Sequence, residues 1–140
     1  MTSRAMAQAY VRAARAILGE AEGHQTRGIW HLTVRRCQES VELALKAVLR
    51  AAGIEVPRVH DVGAFLREHA ERLPTEVSEH LDRLVSVSRR LRAERETAFY
   101  GDDEVGVPAE RLYTAGDADQ ALADARWVLA VASAAVPPPA

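Results

Sequence analysis

An unbroken apolar stripe at helical spacing, from Ile29 to Ala52, is the feature that most constrains the fold. Its members recur every three or four positions and so share one face of an α-helix. They are Trp30, Val34, Cys37, Val41, Ala44, Leu45 and Val48. In the polar stripe beside them, Glu42 precedes Lys46 by four residues, the order that favours an intrahelical ion pair. Gly53 is expected to end this helix. Because such a stripe is buried only against other elements, the chain must supply more helices.

Four further helices are predicted from apolar periodicity and capping residues. They are expected over Ser3–Ala21, from His60 or Asp61 to Arg72, over Thr75–Phe99 with Thr75 as N-cap, and from a capping-box-like start at Thr114 and Asp117 to Ser133. Gly19 and Gly23 weaken the end of the first helix. The second and fourth helices are the longest and are expected to form the centre. Short links between long helices favour an all-α, up-down antiparallel bundle of about five helices.

The predicted domain covers residues 1–135, followed by a flexible Pro-rich tail at 136–140. A hydrophobic content of 48% suffices for one core, and a net charge of −2 does not match the basic excess of a dedicated DNA-binding domain. The single cysteine, Cys37, excludes an internal disulfide and a cysteine-based zinc site. The histidines lack metal-binding spacing, so we expect no metal and no cofactor. Without a signal peptide or an apolar run of ~20 residues, the chain is expected in the cytoplasm with no membrane partner.

The stretch VRRCQESVELALKAVLRAAGIEVPRVHDVGAFL carries a pattern more specific than periodicity. Its informative residues are Gln38, Glu42, Leu43, Lys46, Ala47, Leu49, Gly53, His60 and Asp61. Downstream, LRAERETAFYGDDEVGVPAERLYTAGDADQALADARWVL places an arginine on a helix, then a polar loop, then a helix opening with DADQALADA. Together the two stretches resemble HEPN domains, and the resemblance spans about Tyr10 to Val131.

The resemblance implies a helical bundle that usually dimerises. Stand-alone members of this kind are often encoded beside a minimal nucleotidyltransferase and act with it. Many HEPN domains are ribonucleases, including toxins of toxin–antitoxin systems, and their motif is an arginine followed after four to six residues by a histidine. Other members bind nucleotides or are non-catalytic partners. Here Tyr100 stands where a histidine would follow Arg95, and tyrosine, with a reference pKa of about 10, is a poor base at neutral pH.

Arg95 and Tyr100 are the first candidate ligand-binding residues. An arginine offers a planar fork for phosphate, and a tyrosine offers a stacking face and a hydroxyl. The alternative is that Arg95 is a structural arginine paired with Glu42 or Asp102. Phe99 is expected to be a packing residue, as are Trp30, Trp127 and Phe65.

Glu42, Lys46 and His60 complete the candidate ligand-binding set. Lys46 lies on the polar stripe and would face a groove between the second and fourth helices, together with Arg95. The alternatives are an ordinary helix-surface ion pair for Glu42 and Lys46, and a helix cap for His60 with Asp61.

We therefore expect a nucleotide- or RNA-phosphate-binding module, not itself an enzyme, that acts with a nucleotidyltransferase partner in a toxin–antitoxin-like setting. Two alternatives stay open: a metal-independent, toxin-type ribonuclease with a diverged active site, and a ligand-free protein-interaction scaffold. A two-fold homodimer is expected because the long helices carry more apolar positions than one bundle face requires.

Overall fold

The computed structural model describes residues 3–56, 58 and 62–138, and every regular element within them is a helix. The chain runs through α1 (Ser3–Thr26), α2 (Trp30–Ala51), α3 (Val62–Glu68), α4 (Thr75–Ser78), α5 (Leu81–Ala93), α6 (Thr97–Tyr100) and α7 (Ala115–Ala135), with 3₁₀ turns at Ala70–Arg72 and Ala109–Arg111. The predicted all-α bundle is confirmed. None of the described helices is long and apolar enough to cross a membrane.

The centre of the bundle is formed by α1, α2 and α7, rather than by the predicted second and fourth helices. The apolar stripe of α2 is buried except at Trp30, which is half-buried. Small residues allow α1 and α2 to approach closely, since Ala14 and Ala44 are fully buried. The Ser40 hydroxyl donates a hydrogen bond of 2.8 Å to the Ala14 carbonyl oxygen. This bond satisfies a buried hydroxyl that would otherwise destabilise the core by about 1–3 kcal/mol.

The end of α2 follows the sequence prediction. Gly53 has a positive φ of 74°, and its N–H donates to the Arg50 carbonyl while the N–H of Ile54 donates to the Leu49 carbonyl. These two bonds, with Ile54 and Leu49 both buried, form the Schellman arrangement that ends many helices.

The first helix runs past its predicted end at Ala21 and continues through Gly23 to Thr26. A glycine costs about 1 kcal/mol in a helix relative to alanine. Burial of Leu18 and Ala21 outweighs that cost, since both lie in the core shared with α2. The chain turns instead at Gly28, whose φ is +72°.

The predicted long helix over 75–99 is wrong, because the chain breaks twice and forms α4, α5 and α6. Pro74, not Thr75, is the N-cap of α4. At the first break, the His80 ring contacts the Trp127 ring of α7 edge to face, with 5.6 Å between centroids. Fully buried Val77 belongs to α4, which packs against α7.

The second break, at residues 94–96, is caused by α2. Arg35 of α2 donates a hydrogen bond to the carbonyl oxygen of Arg95, and His31 Nδ1 lies 3.2 Å from the carbonyl oxygen of Ala98. In a continuous helix to Phe99, the Arg95 carbonyl would instead accept the N–H of Phe99. Ala98 is fully buried, and α6 packs on α2. The turn therefore folds the end of the fourth predicted helix onto the second.

The predicted short third helix divides into α3 and the 3₁₀ turn at Ala70–Arg72. Gly63 of α3 packs so closely on α5 that a Cβ there would lie 3.2 Å from the Ser88 Cβ. The predicted caps, His60 and Asp61, lie outside the described residues.

The segment between α6 and α7 is more ordered than a loop. Asp102 and Val107 form an antiparallel bridge, with N–H to carbonyl distances of 2.8 and 3.0 Å. The Asp102 carboxylate also accepts the N–H groups of Glu104 and Val105. The residues 102–107 thus form a tight hairpin, preceded by Gly101 at a φ of +77°.

The start of α7 confirms the predicted capping box. Thr114 accepts the Asp117 N–H at 3.2 Å, and the Asp117 carboxylate accepts the Thr114 N–H at 2.9 Å. At the other end, the first residues of the tail pack on α1: Val136 is buried, and Gln8 Nε2 donates to the Pro137 carbonyl at 3.0 Å.

Candidate functional site

The turn at 94–96 places several arginines around one concave surface between α2, α5 and α6. We call this surface the basic depression. It has a volume of about 540 Å³ and is lined by Arg35, Arg92, Ala93, Arg95, Glu96, Thr97 and Tyr100. Three guanidinium groups and one carboxylate face the same space, which gives the surface a positive potential.

Among the arginines of the basic depression, Arg95 is the one without an acidic partner in the described part of the chain. It is half-buried in the turn and forms no ion pair within the part of the chain that the structure describes. The structural alternative, in which Arg95 pairs with Glu42 or Asp102, is therefore wrong. Its guanidinium remains available to an anion.

Arg92 is the partner that Glu42 takes instead. Arg92 Nη1 lies 3.1 Å from Glu42 Oε1, and Lys46 Nζ lies 3.3 Å from Glu42 Oε2. Gln38 Nε2 donates to the same carboxylate at 3.3 Å. The helix-surface ion pair predicted for Glu42 and Lys46 is present, extended by Arg92. Because one carboxylate is shared by two cations, Glu42 does not neutralise this end of the basic depression.

Three contacts fix the Arg35 side chain: a hydrogen bond, an ion pair and a cation–π contact. Its guanidinium donates to the Arg95 carbonyl, lies 3.9 Å from the Glu39 carboxylate, and sits 5.0 Å above the centre of the Phe99 ring. A cation over an aromatic face is attracted by the ring's π electrons. Arg35 thus both shapes the turn and lines the basic depression.

Two consecutive aromatic residues stand at the edge of the basic depression. Phe99 is 48% exposed, so its predicted role as a core residue is wrong, and Tyr100 is 66% exposed. Their rings meet edge to face, with 5.0 Å between centroids and an interplanar angle of 90°. Tyr100 is the one that lines the basic depression.

The structure brings together two of the five predicted site residues, Arg95 and Tyr100. Glu42 and Lys46 lie beside the basic depression and connect to it through Arg92, while His60 lies outside the described residues.

The site residues predicted from the sequence did not include Arg35 and Arg92, the other two arginines of the basic depression. Arg35 was visible as a member of the polar stripe of α2, seven residues before Glu42. Arg92 belongs to the basic stretch SRRLRAER of residues 88–95, which could follow an RNA backbone but is interpreted from the sequence as a solvated, salt-bridged helix face. Their convergence depends on the turn at 94–96, which no local pattern predicts.

A second surface adjoins the same turn and shares Ala93 and Thr97 with the basic depression; we call it the acidic depression. Its volume is about 610 Å³. It is lined by Val34, Arg90, Leu91, Ala93, Glu94, Thr97, Asp102, Leu112, Tyr113, Asp117, Gln120, Ala121 and Asp124. Four carboxylates and one guanidinium face this space, so it repels the anions that the basic depression attracts.

The groups of the acidic depression are largely engaged with one another. Asp124 is only 4% exposed and pairs with Arg90 at 3.2 Å and Gln120 at 3.1 Å. The Tyr113 hydroxyl donates a hydrogen bond to the Glu94 carboxylate. Burial and the adjacent Glu94 carboxylate raise the pKa of Tyr113 above its usual value, so this hydroxyl keeps its proton.

Metal and thiol chemistry find no support in the described residues. They contain no group of three or more histidine, cysteine or acidic side chains arranged to hold a metal ion. Burial raises the pKa of the Cys37 thiol to about 12, so it stays protonated and acts as a packing residue.

Comparison with known proteins agrees with this architecture. The model of the HEPN domain family matches residues 7–134. No curated protein matches the chain. Among solved structures, TT1696 from Thermus thermophilus is 28% identical, superposes with a TM-score of 0.77, and is matched over 92% of this chain and 97% of that one. The family model covers nearly the whole chain, and we conclude that the chain belongs to the HEPN domain family.

Proposed function

We propose that this chain is a nucleotide- or RNA-phosphate-binding module, and that the basic depression is its binding site. Membership of the HEPN family supports a nucleotide- or RNA-related module. We further propose that it acts as a homodimer beside a nucleotidyltransferase partner, in a toxin–antitoxin-like system. The observation that carries the binding site is the convergence of three arginines, one of them without an ion pair among the described residues, on one concave surface.

The arginines suit phosphate for a chemical reason. A guanidinium presents a planar fork of N–H donors that matches two phosphate oxygens, and such charge-assisted bonds are about twice as strong as neutral ones. Arg95 needs to break no ion pair to bind an anion. Arg35 is already fixed by its contacts with the Arg95 carbonyl and Phe99, so it loses little side-chain freedom on binding.

The Glu42 carboxylate opposes an anion less than its position suggests. Arg92 and Lys46 both lie within 3.3 Å of it, so this cluster has a net positive charge. A phosphate in the basic depression would therefore be attracted by the net positive charge of the Arg92–Glu42–Lys46 cluster as well as by Arg95.

Calorimetric titration with nucleoside phosphates and short RNA tests the proposal. Arg95→Ala should weaken binding by about 1–3 kcal/mol, the range for losing a charge-assisted hydrogen bond. Arg89→Ala is the matched control, because Arg89 is exposed on α5 and does not line the basic depression. Equal binding by the wild type and Arg95→Ala would remove Arg95 from the site. No binding by the wild type would favour the ligand-free scaffold instead.

The ribonuclease alternative is favoured by one observation: Arg95 and Tyr100 occupy the spacing of the nuclease motif and line the same depression. It lacks the histidine of that motif, since Tyr100 stands in its place and no histidine lines that surface. The geometry therefore supports binding without cleavage.

A further inference from the structure

We infer that the hairpin of one copy of the chain, residues 102–107, docks into a groove between α1 and α7 of another copy. The contact is head to tail, because two different surfaces meet and every copy carries one of each. It is therefore distinct from a two-fold dimer, in which the same surface of both copies meets. The contact uses none of the residues that line the basic depression.

The groove lies where the end of α7 and the residues after it pack on the first part of α1, and we call it the tail groove. Its volume is about 300 Å³. It is lined by Gln8, Val11, Arg12, Arg15, Ser133, Val136 and Pro138. Two guanidinium groups and no carboxylate face this space, and the valines and the proline supply apolar surface. The tail groove therefore suits an acidic segment that carries an apolar side chain.

The arginines of the tail groove have no acidic partner in the described part of the chain. Arg12 and Arg15 are exposed and form no ion pair there, and Arg15 donates to the Ser133 hydroxyl at 3.0 Å. No acid precedes Glu20 in α1, and none follows Asp124 in α7. These parts of α1 and α7 are thus locally positive although the net charge of the chain is −2. Such a local excess attracts an anionic surface.

The hairpin carries the complementary groups at its tip. Asp103, Glu104 and Val105 are exposed, and Val105, at 69%, is the most exposed of the large hydrophobic residues described. Neither acid forms an ion pair among the residues that the structure describes. A Cβ added at Gly106 would meet no atom within 4 Å, so the tip projects into open space. It offers two carboxylates beside an apolar side chain, the chemistry that the tail groove suits.

Both surfaces are ordered before they meet. The antiparallel bridge at the base of the hairpin closes it, and the Asp102 carboxylate accepts the N–H groups of Glu104 and Val105. The tail groove is fixed in a similar way, since Gln8 donates to the Pro137 carbonyl at 3.0 Å. Docking therefore costs little conformational freedom of either backbone.

A second copy fits the tail groove better than other anionic partners do. A nucleic-acid strand would use the two arginines, but no aromatic side chain lines the groove for a base to stack on. A membrane surface would need protruding apolar side chains, and none of the exposed large hydrophobic residues described lies on α1 or α7. The hairpin supplies both the carboxylates and the apolar side chain.

The contact is small, so it is expected to be weak. The tip of the hairpin presents few side chains, and the area that it buries falls below the ~1,200 Å² typical of stable complexes. Association should therefore appear at protein concentrations of about 0.1–1 mM rather than in dilute solution. Since each copy offers both surfaces, the contacts close a ring or continue as an open chain.

Sedimentation velocity of the full chain at about 10 μM to 1 mM measures the contact. The mass of the wild type should rise with concentration and fall again at high salt, because salt screens exposed charges. Glu104→Arg changes the hairpin and Arg12→Glu changes the tail groove, and each should weaken the association about tenfold or more. Glu110→Arg and Arg89→Glu are the matched controls, because both residues are exposed and lie outside the two surfaces.

Charge exchange tests whether the two surfaces are partners. The double variant Arg12→Glu/Glu104→Arg again has opposite charges across the contact, so it should associate more strongly than either single variant. A mixture of the two single variants should also associate, because the unchanged hairpin of one matches the unchanged groove of the other. Both recoveries would show that the single variants lose the contact and not the fold.

Two results would overturn the inference. The first is a wild-type mass that does not change with concentration. In that case, binding of a dye-labelled peptide of alternating glutamate and leucine that Arg12→Glu abolishes would make a segment of another protein the occupant. The second is a rise in mass that persists in both single variants, which would place the contact elsewhere on the chain. Neither result bears on ligand binding by Arg95, which the calorimetric titration tests separately.

Discussion

The basic and acidic depressions are two surfaces of similar size that adjoin one turn, and they differ in how their charges are satisfied. In the acidic depression Asp124 is held by Arg90 and Gln120, and Glu94 accepts the Tyr113 hydroxyl. Its other two carboxylates accept backbone N–H groups at the start of α7 and in the hairpin. In the basic depression Arg95 forms no ion pair within the described residues.

This difference shows why volume alone does not identify a binding site. The acidic depression is the larger, yet its carboxylates already cap a helix, close a hairpin or pair with neighbours. Such groups stabilise the fold, because a buried acid without partners would cost several kcal/mol. Among the described residues, the basic depression leaves the charge of Arg95 unpaired, and we expect a ligand to use that charge. Changes on the acidic side should therefore reduce stability, and changes on the basic side should reduce binding.

Gly101 offers the most disruptive test of this comparison, because it joins Tyr100 of the basic side to Asp102 of the acidic side. Its φ of 77° and ψ of −162° form a backbone conformation that is essentially confined to glycine. An alanine Cβ would also collide with the Val107 carbonyl oxygen and lie 2.7 Å from the Ala109 nitrogen. We expect Gly101→Ala to lower the free energy of unfolding by about 2–4 kcal/mol in urea titrations.

Gly106 is the matched control in the same hairpin. It also has a positive φ, 69°, but an alanine Cβ at this position would have no neighbouring atom within 4 Å. Gly106→Ala should cost only about 1 kcal/mol, from the left-handed backbone alone. Equal losses for the two variants would mean that the close approach of the hairpin at Gly101 does not hold the two depressions together.

Tyr113 tests the structural role of the acidic depression directly. Tyr113→Phe removes the hydrogen bond to Glu94 and should cost about 1 kcal/mol at neutral pH without changing phosphate binding. The folded state raises the pKa of this hydroxyl above its ordinary value of 10.0, so folding favours the protonated form. That stabilisation is fully present below pH 10 and is lost as the pH rises further.

Urea titrations across the alkaline range measure this contribution. The free energy of unfolding of the wild type should fall more steeply above pH 10 than that of Tyr113→Phe. Tyr10→Phe is the control, because the Tyr10 ring lies on α1 under Arg50 and outside both depressions. If Tyr113→Phe and Tyr10→Phe changed the pH dependence of the free energy of unfolding alike, the Tyr113–Glu94 hydrogen bond would not be the cause of the alkaline loss of stability.

The sequence predicts those parts of this molecule that are decided locally. The apolar stripe of α2, its stop at Gly53 and the capping box at Thr114 each depend on residues within a few positions, and each is confirmed. The break after α5 is decided by contacts from Arg35 and His31, which act on carbonyls 60 and 67 residues away. Arg95 and Tyr100 were predicted from the resemblance to the family motif, which does not depend on where the helix breaks. Arg35 and Arg92 could not be assigned to the same site from the sequence, because only the turn at 94–96 brings them onto one surface.

The smallest expected effect is in RNA cleavage, where the wild type should leave RNA intact. Cleavage at neutral pH needs a group that accepts a proton from the ribose hydroxyl and another that donates one to the leaving oxygen. The basic depression is lined by arginines, Thr97, Tyr100 and a single carboxylate, and His31, which contacts α6, is directed at the Ala98 carbonyl. Incubating labelled single-stranded RNA with the full chain and resolving the products on a gel measures the rate. Tyr100→His supplies the histidine at the spacing of the nuclease motif and shows whether the missing histidine alone limits the chemistry. Cleavage by the wild type that disappears in Arg95→Ala would instead make the basic depression an active site and replace the binding proposal with the ribonuclease one.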